Sequence, residues 1–313
     1  MLTIYNTNLE TNKLEESKEL KKGMWINLIN PTEDEIKYVC SNLEIEEEFI
    51  RYPLDYEEQS RIDIEDDLTL FIIDIPIIDK SKEEKAYTTI PLGLIVVRDD
   101  YFITVSLKKN RIIEDFEKGK VKGLFTHKKT RFILQIFYLA ASYYLDTLKK
   151  LNKEAESTVE VLQKSMRNKE IGRLLTIENS LVYIATSLKS NENVMEKTLR
   201  GKIIKLYEED EDILEDSIIE NRQAMEMSKI YSDILSGTMD AYASIISNNL
   251  NSVMKFLASV TILLAIPTFI ASFWGMNVPV PFSENPLGFI GIVGMSFLLC
   301  LLVYIWLKRK DMI

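Results

Sequence analysis

The sequence contains few of the residues that most often carry enzymatic chemistry. Among 313 residues it has two cysteines, Cys40 and Cys300, and one histidine, His127. Two isolated cysteines build neither a disulfide framework nor a Cys/His zinc site. Catalysis by a Ser-His-Asp or Cys-His group would depend on His127 alone, which we interpret as a surface or helix-start residue. The sequence therefore predicts a protein that is not an enzyme and needs no cofactor.

An excess of basic residues is also missing. The formal net charge is -10, from 38 Lys and Arg against 48 Asp and Glu. Nucleic-acid binders need a basic face, so we expect no nucleic-acid partner. The N-terminal stretch MLTIYNTNLETNK lacks the basic leader and the long apolar core of a signal peptide. We therefore expect the N-terminal part to be soluble and to remain on the side of synthesis.

Proline is absent between Pro91 and Pro267, which leaves this part of the chain free to form long helices. Apolar residues recur there every three or four positions, as on one face of a helix. This periodicity predicts helices from about Thr130 to Met166, from about Glu170 to Leu199, and from near Asp212 onward.

Strand and helix signals alternate before this helical part. Four β-rich apolar runs predict strands, namely GMWINLIN, LTLFIIDIPII, PLGLIVVRDD and YFITVSL. The segment PTEDEIKYVCSNL begins with proline and threonine followed by acidic residues, which is typical of a helix N-terminus. We predict an α/β domain over residues 1–125, with a strand order that the sequence leaves open, and a helical stalk domain over residues 126–252.

Charge is absent from two long stretches near the C-terminus. No charged residue occurs between Lys255 and Glu284, or between Glu284 and Lys308. A helix of about 20 apolar residues crosses a bilayer core. We therefore predict membrane spans at approximately Phe256–Phe273 and Leu287–Leu307. The expected fold class is α+β with a membrane part: a cytoplasmic α/β domain, a long helical stalk and two C-terminal transmembrane helices.

The charges that flank this transmembrane hairpin, residues 253–313, predict its orientation. Lys255 precedes the first span, and Lys308, Arg309 and Lys310 follow the second, whereas the connecting loop has no Lys or Arg. Positive charge stays in the cytoplasm, so we expect both termini there and a multi-pass protein of the cell (inner) membrane. A two-pass tail anchor that transports nothing would have the same topology.

Small and polar residues form a stripe on the third predicted helix. They recur with an average step of about 3.5 residues, which keeps one face of a gently supercoiled helix in line. This polar stripe comprises Asp240, Ser244, Ser247, Asn251, Met254, Ala258, Thr261, Ala265 and Thr268. In lipid such a surface serves helix packing, or it lines water. Since each chain has only two predicted spans, a water-filled path would need several copies around one axis.

The stripe ends at Gly275-Met276-Asn277. We expect Gly275 to let the chain leave the helix in a left-handed or otherwise strained conformation, and the prolines that follow to prevent the helix from resuming. Asn277 offers a neutral amide at the mouth. Such amides can hydrogen-bond the water shell of Mg²⁺, an ion that gives up its water reluctantly.

A GMN tripeptide directly after the first of two C-terminal spans, with a short outer loop and a basic tail, resembles the CorA family of divalent-cation channels. The segment NNLNSVMKFLASVTILLAIPTFIASFWGMN is similar to the pore helix of that family, and WINLINPTEDEI and YFITVS are similar to parts of its α/β domain. The resemblance implies a homopentameric channel or transporter in the lipid bilayer for Mg²⁺, with Co²⁺ and Ni²⁺ as further candidates.

The resemblance also implies roles for single residues. Gly275, Met276 and Asn277 would form the outer selectivity ring. The implied pore lining consists of Asp240 as an acidic ring, Asn251 as a polar ring, Met254 and Leu257 as an apolar constriction, and Thr268 as a hydroxyl ring. Thr261 and Ala265 complete the predicted pore-lining set.

An acidic run, Glu208–Asp216, lies where the third helix is predicted to begin. Acidic residues are favourable at a helix N-terminus in any case, so a solvated helix end is one interpretation. The resemblance implies instead that divalent ions bound between subunits hold the channel closed, with Asp216, Asp212 and Asp74 as candidate ligands. Two further alternatives are a zinc transporter on the same scaffold and a membrane-anchored scaffold without transport.

Overall fold

The computed structural model of the protein describes residues 1–8, 10–11, 13–65, 67–79, 86–165, 168–201, 203–278, 280–281 and 287–312. The chain forms two compact units, Met1–Ser236 and Gly237–Ile313. The division into domains of residues 1–125, 126–252 and 253–313 stays a prediction.

The first unit contains a mixed sheet of seven strands in the spatial order β2-β1-β3-β7-β6-β5-β4. The strands are β1 Leu2–Asn8, β2 Lys13–Ser17, β3 Trp25–Ile29, β4 Arg61–Glu65, β5 Leu68–Asp79, β6 Ala86–Val97 and β7 Tyr101–Ser106. Only β3 and β7 are parallel neighbours within this sheet; the other pairs are antiparallel. The four predicted strands are confirmed as β3, β5, β6 and β7.

Three short helices accompany the sheet: α1 Glu33–Leu43, α2 Glu47–Arg51 and α3 Arg111–Glu117. The predicted helix start is confirmed in α1. There Thr32 accepts a hydrogen bond from the Glu35 amide, and the Glu35 carboxylate accepts one from the Thr32 amide. This reciprocal capping box satisfies two backbone donors that the first turn would otherwise leave unpaired.

Four long helices follow: α4 Lys129–Ser165, α5 Asn168–Gly201, α6 Glu208–Trp274 and α7 Gly288–Arg309. The periodicity therefore predicted α4 and α5 nearly to their ends. Helix α6 begins one turn before the expected Asp212 and continues through Pro267 to Trp274.

Both faces of the sheet are buried, so β5 and β6 are apolar almost throughout rather than alternating. One face packs against α3, α4 and α5 through Trp25, Phe71 and Phe102. The opposite face packs against α1 and α2 through residues such as Ile26 and Ile72. The predicted α/β architecture of the N-terminal part is thus a sheet with helices on both faces.

Candidate functional site

Two of the described helices are long and apolar enough to cross a membrane, the C-terminal part of α6 and the whole of α7. Within the second unit, α7 and the chain that follows it cover one side of α6. Ser259 is fully buried there and its hydroxyl donates to the Met312 carbonyl at 3.1 Å. Leu263, Ile266 and Ile270 continue the same side and are half-buried.

Pro267 lies inside α6 without ending the helix. Proline has no backbone N–H, so the carbonyl of Leu263, four residues earlier, loses its helical donor. The thiol of Cys300 on α7 lies 3.6 Å from this carbonyl oxygen and donates to it. The two spans are therefore joined at the point where proline leaves a backbone acceptor unpaired. The sequence analysis missed this contact. Pro267 inside an apolar span was the signal for it, because a proline within a helix leaves one carbonyl without its helical donor.

The polar stripe faces away from α7. At about 100° per helical residue, its centre lies roughly 130° from the side that carries Ser259 and Leu263. All of its members are exposed in the single chain, namely Asp240, Ser244, Ser247, Asn251, Met254, Ala258, Thr261, Ala265 and Thr268. Leu257, predicted beside Met254 as a constriction, is also exposed. No described part of the second unit covers this surface.

Three hydroxyls of the stripe, those of Ser244, Thr261 and Thr268, donate their hydrogens to the helix itself. Thr261 donates to the Leu257 carbonyl and Thr268 to the Leu264 carbonyl, both at 2.9 Å. Ser244 donates in the same way to the Asp240 carbonyl at 3.1 Å. A hydroxyl has one hydrogen and two lone pairs, so each of these oxygens still presents acceptor capacity to whatever lies outside the helix.

Helix α6 ends at Trp274, directly before the predicted selectivity residues. The Gly275 amide donates to the Ala271 carbonyl at 2.9 Å, and Met276 and Asn277 are exposed beyond it. Of the two conformations expected for Gly275, left-handed or otherwise strained, the left-handed one is wrong, because its φ does not lie in that region. A Cβ at this position would instead meet the Ala271 carbonyl oxygen at 3.2 Å, so glycine permits a close backbone approach. The loop acid Glu284 and Pro279 lie outside the described residues.

The three candidate regulatory acids occupy different environments in the first unit. Asp212 and Asp216 are exposed near the start of α6. Asp74, on β5, lies against α5, where the Asn191 side chain accepts from its amide and donates to its carbonyl, both at 2.8 Å. Burial raises the pKa of the Asp74 carboxyl, although hydrogen bonds from Ser187 and Ser60 partly lower it.

The Asp74 carboxyl is therefore buried within its own chain. Its raised pKa makes it a weaker cation ligand than an exposed carboxylate. Within the part of the chain that the structure describes, no three side chains of His, Cys, Asp or Glu gather closely enough to hold a metal ion. Asp74, Asp212 and Asp216 thus form no such group within one chain. Their roles as regulatory ligands stay predictions, and so do the roles of the pore residues.

Comparison with known proteins gives consistent findings. The model of the family described as CorA-like Mg²⁺ transporter protein matches residues 21–309. The cobalt/magnesium transport protein CorA of Methanocaldococcus jannaschii is 25% identical over 310 residues, which cover 96% of this chain and 94% of that protein.

Among solved structures, the complete CorA magnesium transporter from the same organism has a TM-score of 0.86 at 22% identity, covering 100% of this chain and 99% of that one. The cytoplasmic domain of ZntB from Vibrio parahaemolyticus has a TM-score of 0.60 at 11% identity, covering 79% of this chain and 98% of that one. At these identities both likenesses show the fold alone. The expected fold class of soluble N-terminal part, long helix and C-terminal apolar helix is confirmed.

Proposed function

The chain belongs to the CorA-like Mg²⁺ transporter family, and from this premise we propose that several copies form a channel for hydrated Mg²⁺. It is a membrane transporter and not an enzyme. The family resemblance supports a homopentamer, with Co²⁺ and Ni²⁺ as further transported ions and with Mg²⁺ also as the regulatory ion. We place both termini in the cytoplasm of a cell (inner) membrane protein, because Lys308 and Arg309 end α7.

The observation that carries the proposal is the direction of the polar stripe. Its residues lie on a side of α6 that is turned away from α7, and they are exposed in the single chain. A stripe that packed the two spans of one chain together would lie between them instead. Further copies of α6 around a common axis would enclose this surface, and lipid would then contact the apolar sides.

The hydrogen bonds of the stripe suit a cation that keeps its water. Water molecules around Mg²⁺ point their hydrogens outward, and the oxygens of Thr261 and Thr268 can accept them. Asn277 provides a neutral amide where α6 has ended. Neutral oxygen ligands can hold the hydrated ion weakly enough for it to leave again.

Regulation by cytoplasmic divalent cations is the second part of the proposal. Repulsion between carboxylates of neighbouring copies would favour an open assembly, and a bound cation would cancel that repulsion. The exposure of Asp212 and Asp216 supports them as ligands, whereas burial raises the pKa of the Asp74 carboxyl and disfavours its charged form. In proteoliposomes we expect internal Mg²⁺ to inhibit flux through the wild type and to inhibit Asp216→Asn less. Equal inhibition of both would remove Asp216 from the site.

The central test compares Mg²⁺ uptake by proteoliposomes carrying the wild type, Asn277→Ala or Asn248→Ala. A hydrogen bond to a charged group contributes about 1.5–3 kcal/mol, so loss of the Asn277 amide should lower flux about tenfold or more. Asn248 is exposed on α6 outside the stripe, and its replacement should leave flux unchanged. Growth rescue of a magnesium-uptake-deficient host at low Mg²⁺ gives the same comparison in cells.

Two outcomes would replace the proposal. Zn²⁺ flux without Mg²⁺ flux would assign the chain to zinc transport on this scaffold, which the distant likeness to the ZntB domain does not favour. Absence of any flux, with Asn277→Ala indistinguishable from the wild type, would support a membrane-anchored scaffold.

A further inference from the structure

A cavity of about 1160 Å³ lies in the first unit beside the start of α4, far along the chain from the stripe residues. Its wall combines the ends of β5 and β6 with the first turns of α4 and α6 and the segment that precedes α6. Ligand pockets of about 300–1,000 Å³ accommodate a drug-sized molecule, so this cavity has room for a nucleotide. Neither the transport path nor the regulatory acids account for it.

A buried acid lines this cavity. Asp210, in the first turn of α6, is 5% exposed, and its carboxylate has no hydrogen bond or ion pair with any residue that the structure describes. Burial of a charged carboxylate without a partner is costly. Asp67 is a second lining acid whose side chain has no described partner, although it is exposed. Unpaired carboxylates at a cavity wall point to a cation as part of the ligand.

Two lysines of the same wall also lack an acidic partner among the described residues. Lys128 and Lys205 are exposed, and each ammonium lies over an aromatic ring, Phe125 at 5.2 Å and Tyr207 at 5.3 Å. Two other cationic residues of the wall, both on α4, do have acidic partners. Lys129 contacts Asp99, and Arg131 donates to Glu209 at 3.0 Å. The cavity therefore presents free ammonium groups and free carboxylates together.

Such a mixed wall suits an anion that brings its own divalent cation. No three acidic, His or Cys side chains gather as a metal site within the described ranges, so protein groups alone would not complete a coordination shell. Mg²⁺ is commonly held by one or two carboxylates together with phosphate oxygens and water. Phosphate groups in turn bind lysine ammonium groups.

We propose that this cavity binds the Mg²⁺ complex of a nucleoside polyphosphate. Lys128 and Lys205 bind its phosphates, and Asp210, with Asp67, faces the metal ion and its water. Ile203, which is half-buried, supplies apolar wall for the sugar and base. The site belongs to the first unit, so its occupation is measured as nucleotide binding, independently of ion flux.

The test measures ATP binding by equilibrium dialysis to the full chain in nanodiscs of neutral phospholipid, with Mg²⁺ and with a chelator. We expect binding with Mg²⁺ to be at least about tenfold tighter than without it, since one lost charged contact of about 1.5–3 kcal/mol corresponds to tenfold or more. Lys128→Ala with Lys205→Ala should weaken binding in both conditions. Asp210→Asn should fold, because it removes a buried charge, and should abolish the difference made by Mg²⁺.

Matched controls lie on the exposed surface of α4 outside the cavity: Lys149→Ala for the lysines and Glu160→Gln for the acid. Both should bind as the wild type does. Pyrophosphate should compete and adenosine should not. Absence of ATP binding at millimolar Mg²⁺, unchanged binding by the lysine variant, or a full Mg²⁺ effect in Asp210→Asn would each overturn the proposal. Displacement of ATP by nanodiscs of anionic phosphatidylglycerol would assign the site to lipid headgroups and overturn it too.

Discussion

Gly93 lies in β6 at a position where the ring of Pro53 leaves no space for a side chain. A Cβ there would come within 2.2 Å of the Pro53 Cγ atom. A proline ring cannot swing aside as a flexible side chain would, so the strand or the Tyr52–Leu54 turn must move. We expect Gly93→Ala to destabilise the protein by about 1–3 kcal/mol, as overpacking does, and to lower the melting temperature of the full chain.

Gly172 in α5 is the matched control for this substitution. No atom lies within 4 Å of a Cβ built there, and alanine favours a helix over glycine by about 1 kcal/mol. Gly172→Ala should therefore raise the melting temperature slightly. A similar loss in both variants would show that the Pro53 contact is not the cause.

The contribution of Asp74 to the stability of the fold should decrease as pH rises. Burial raises the pKa of its carboxyl, so the folded state holds the proton more tightly than the unfolded chain. The resulting stabilisation is present below the ordinary pKa of aspartate, about 3.9, and is lost as pH rises through the raised value. Melting temperatures measured from acid to neutral pH should show Asp74→Asn gaining stability over the wild type as pH rises.

Asp146 provides the opposite sign for comparison. Its pKa is lowered, first by a hydrogen bond from Lys150 at 2.7 Å and also by Arg111. The contribution of Asp146 is present above its unfolded pKa and lost as pH falls. In acid, the wild type should therefore lose stability relative to Asp146→Asn. If the difference in melting temperature between Asp74→Asn and the wild type did not change with pH, the result would contradict the raised pKa of Asp74.

At the scale of elements, the sequence predicted those features that depend on residues close together in the chain, such as helix starts and helix lengths. Thr32 and Glu35 cap α1 through reciprocal hydrogen bonds, and the sequence motif alone indicated that start. Helices α4 and α5 follow their apolar periodicity. The sheet order was not predictable, because the parallel pairing of Trp25 with Phe102 joins residues far apart in the chain, and nothing local specifies that partner.

The joint between the two spans, formed by Pro267, Leu263 and Cys300, can be tested by a double-mutant cycle. Cys300→Ala leaves the Leu263 carbonyl unpaired and should destabilise the full chain by about 1 kcal/mol. With Pro267→Ala the helix regains its own donor to that carbonyl, so the Cys300→Ala change should then cost less. Cys300→Ser keeps a donor and serves as the control, with melting in detergent as the measurement. Equal effects of Cys300→Ala in both backgrounds would show that the thiol does not serve this carbonyl.

At the scale of the whole molecule, the proposed assembly predicts which residues of neighbouring copies lie close together. If the stripe surrounds a common axis, a cysteine at Ala265 in a chain without Cys40 and Cys300 should form disulfides between copies under mild oxidation. A cysteine at Leu264, which is exposed on the adjoining side of α6, should form far fewer. Gel electrophoresis without reductant measures both, and equal cross-linking would remove the stripe from the axis.

The sequence indicated the members of the candidate site better than their surroundings. The stripe could be recognised because a helix places every third or fourth residue on one face. The environment of Asp74 could not, because Ser60, Ser187 and Asn191 reach it only after the sheet and α5 have packed. Asp210 was likewise seen only as one member of an acidic run, because its burial arises only in the folded structure.

The inward hydrogen bonds of Thr261 and Thr268 have one more consequence. A water molecule beside Mg²⁺ turns both hydrogens outward, whereas a water molecule beside a chloride ion gives one hydrogen to the ion and has only one left to donate outward. Along the proposed passage, oxygens that only accept would therefore meet fewer donors around an anion than around a cation. Such a wall discriminates between anions and cations by the direction in which it hydrogen-bonds, and needs no ionised side chain at these depths to do so.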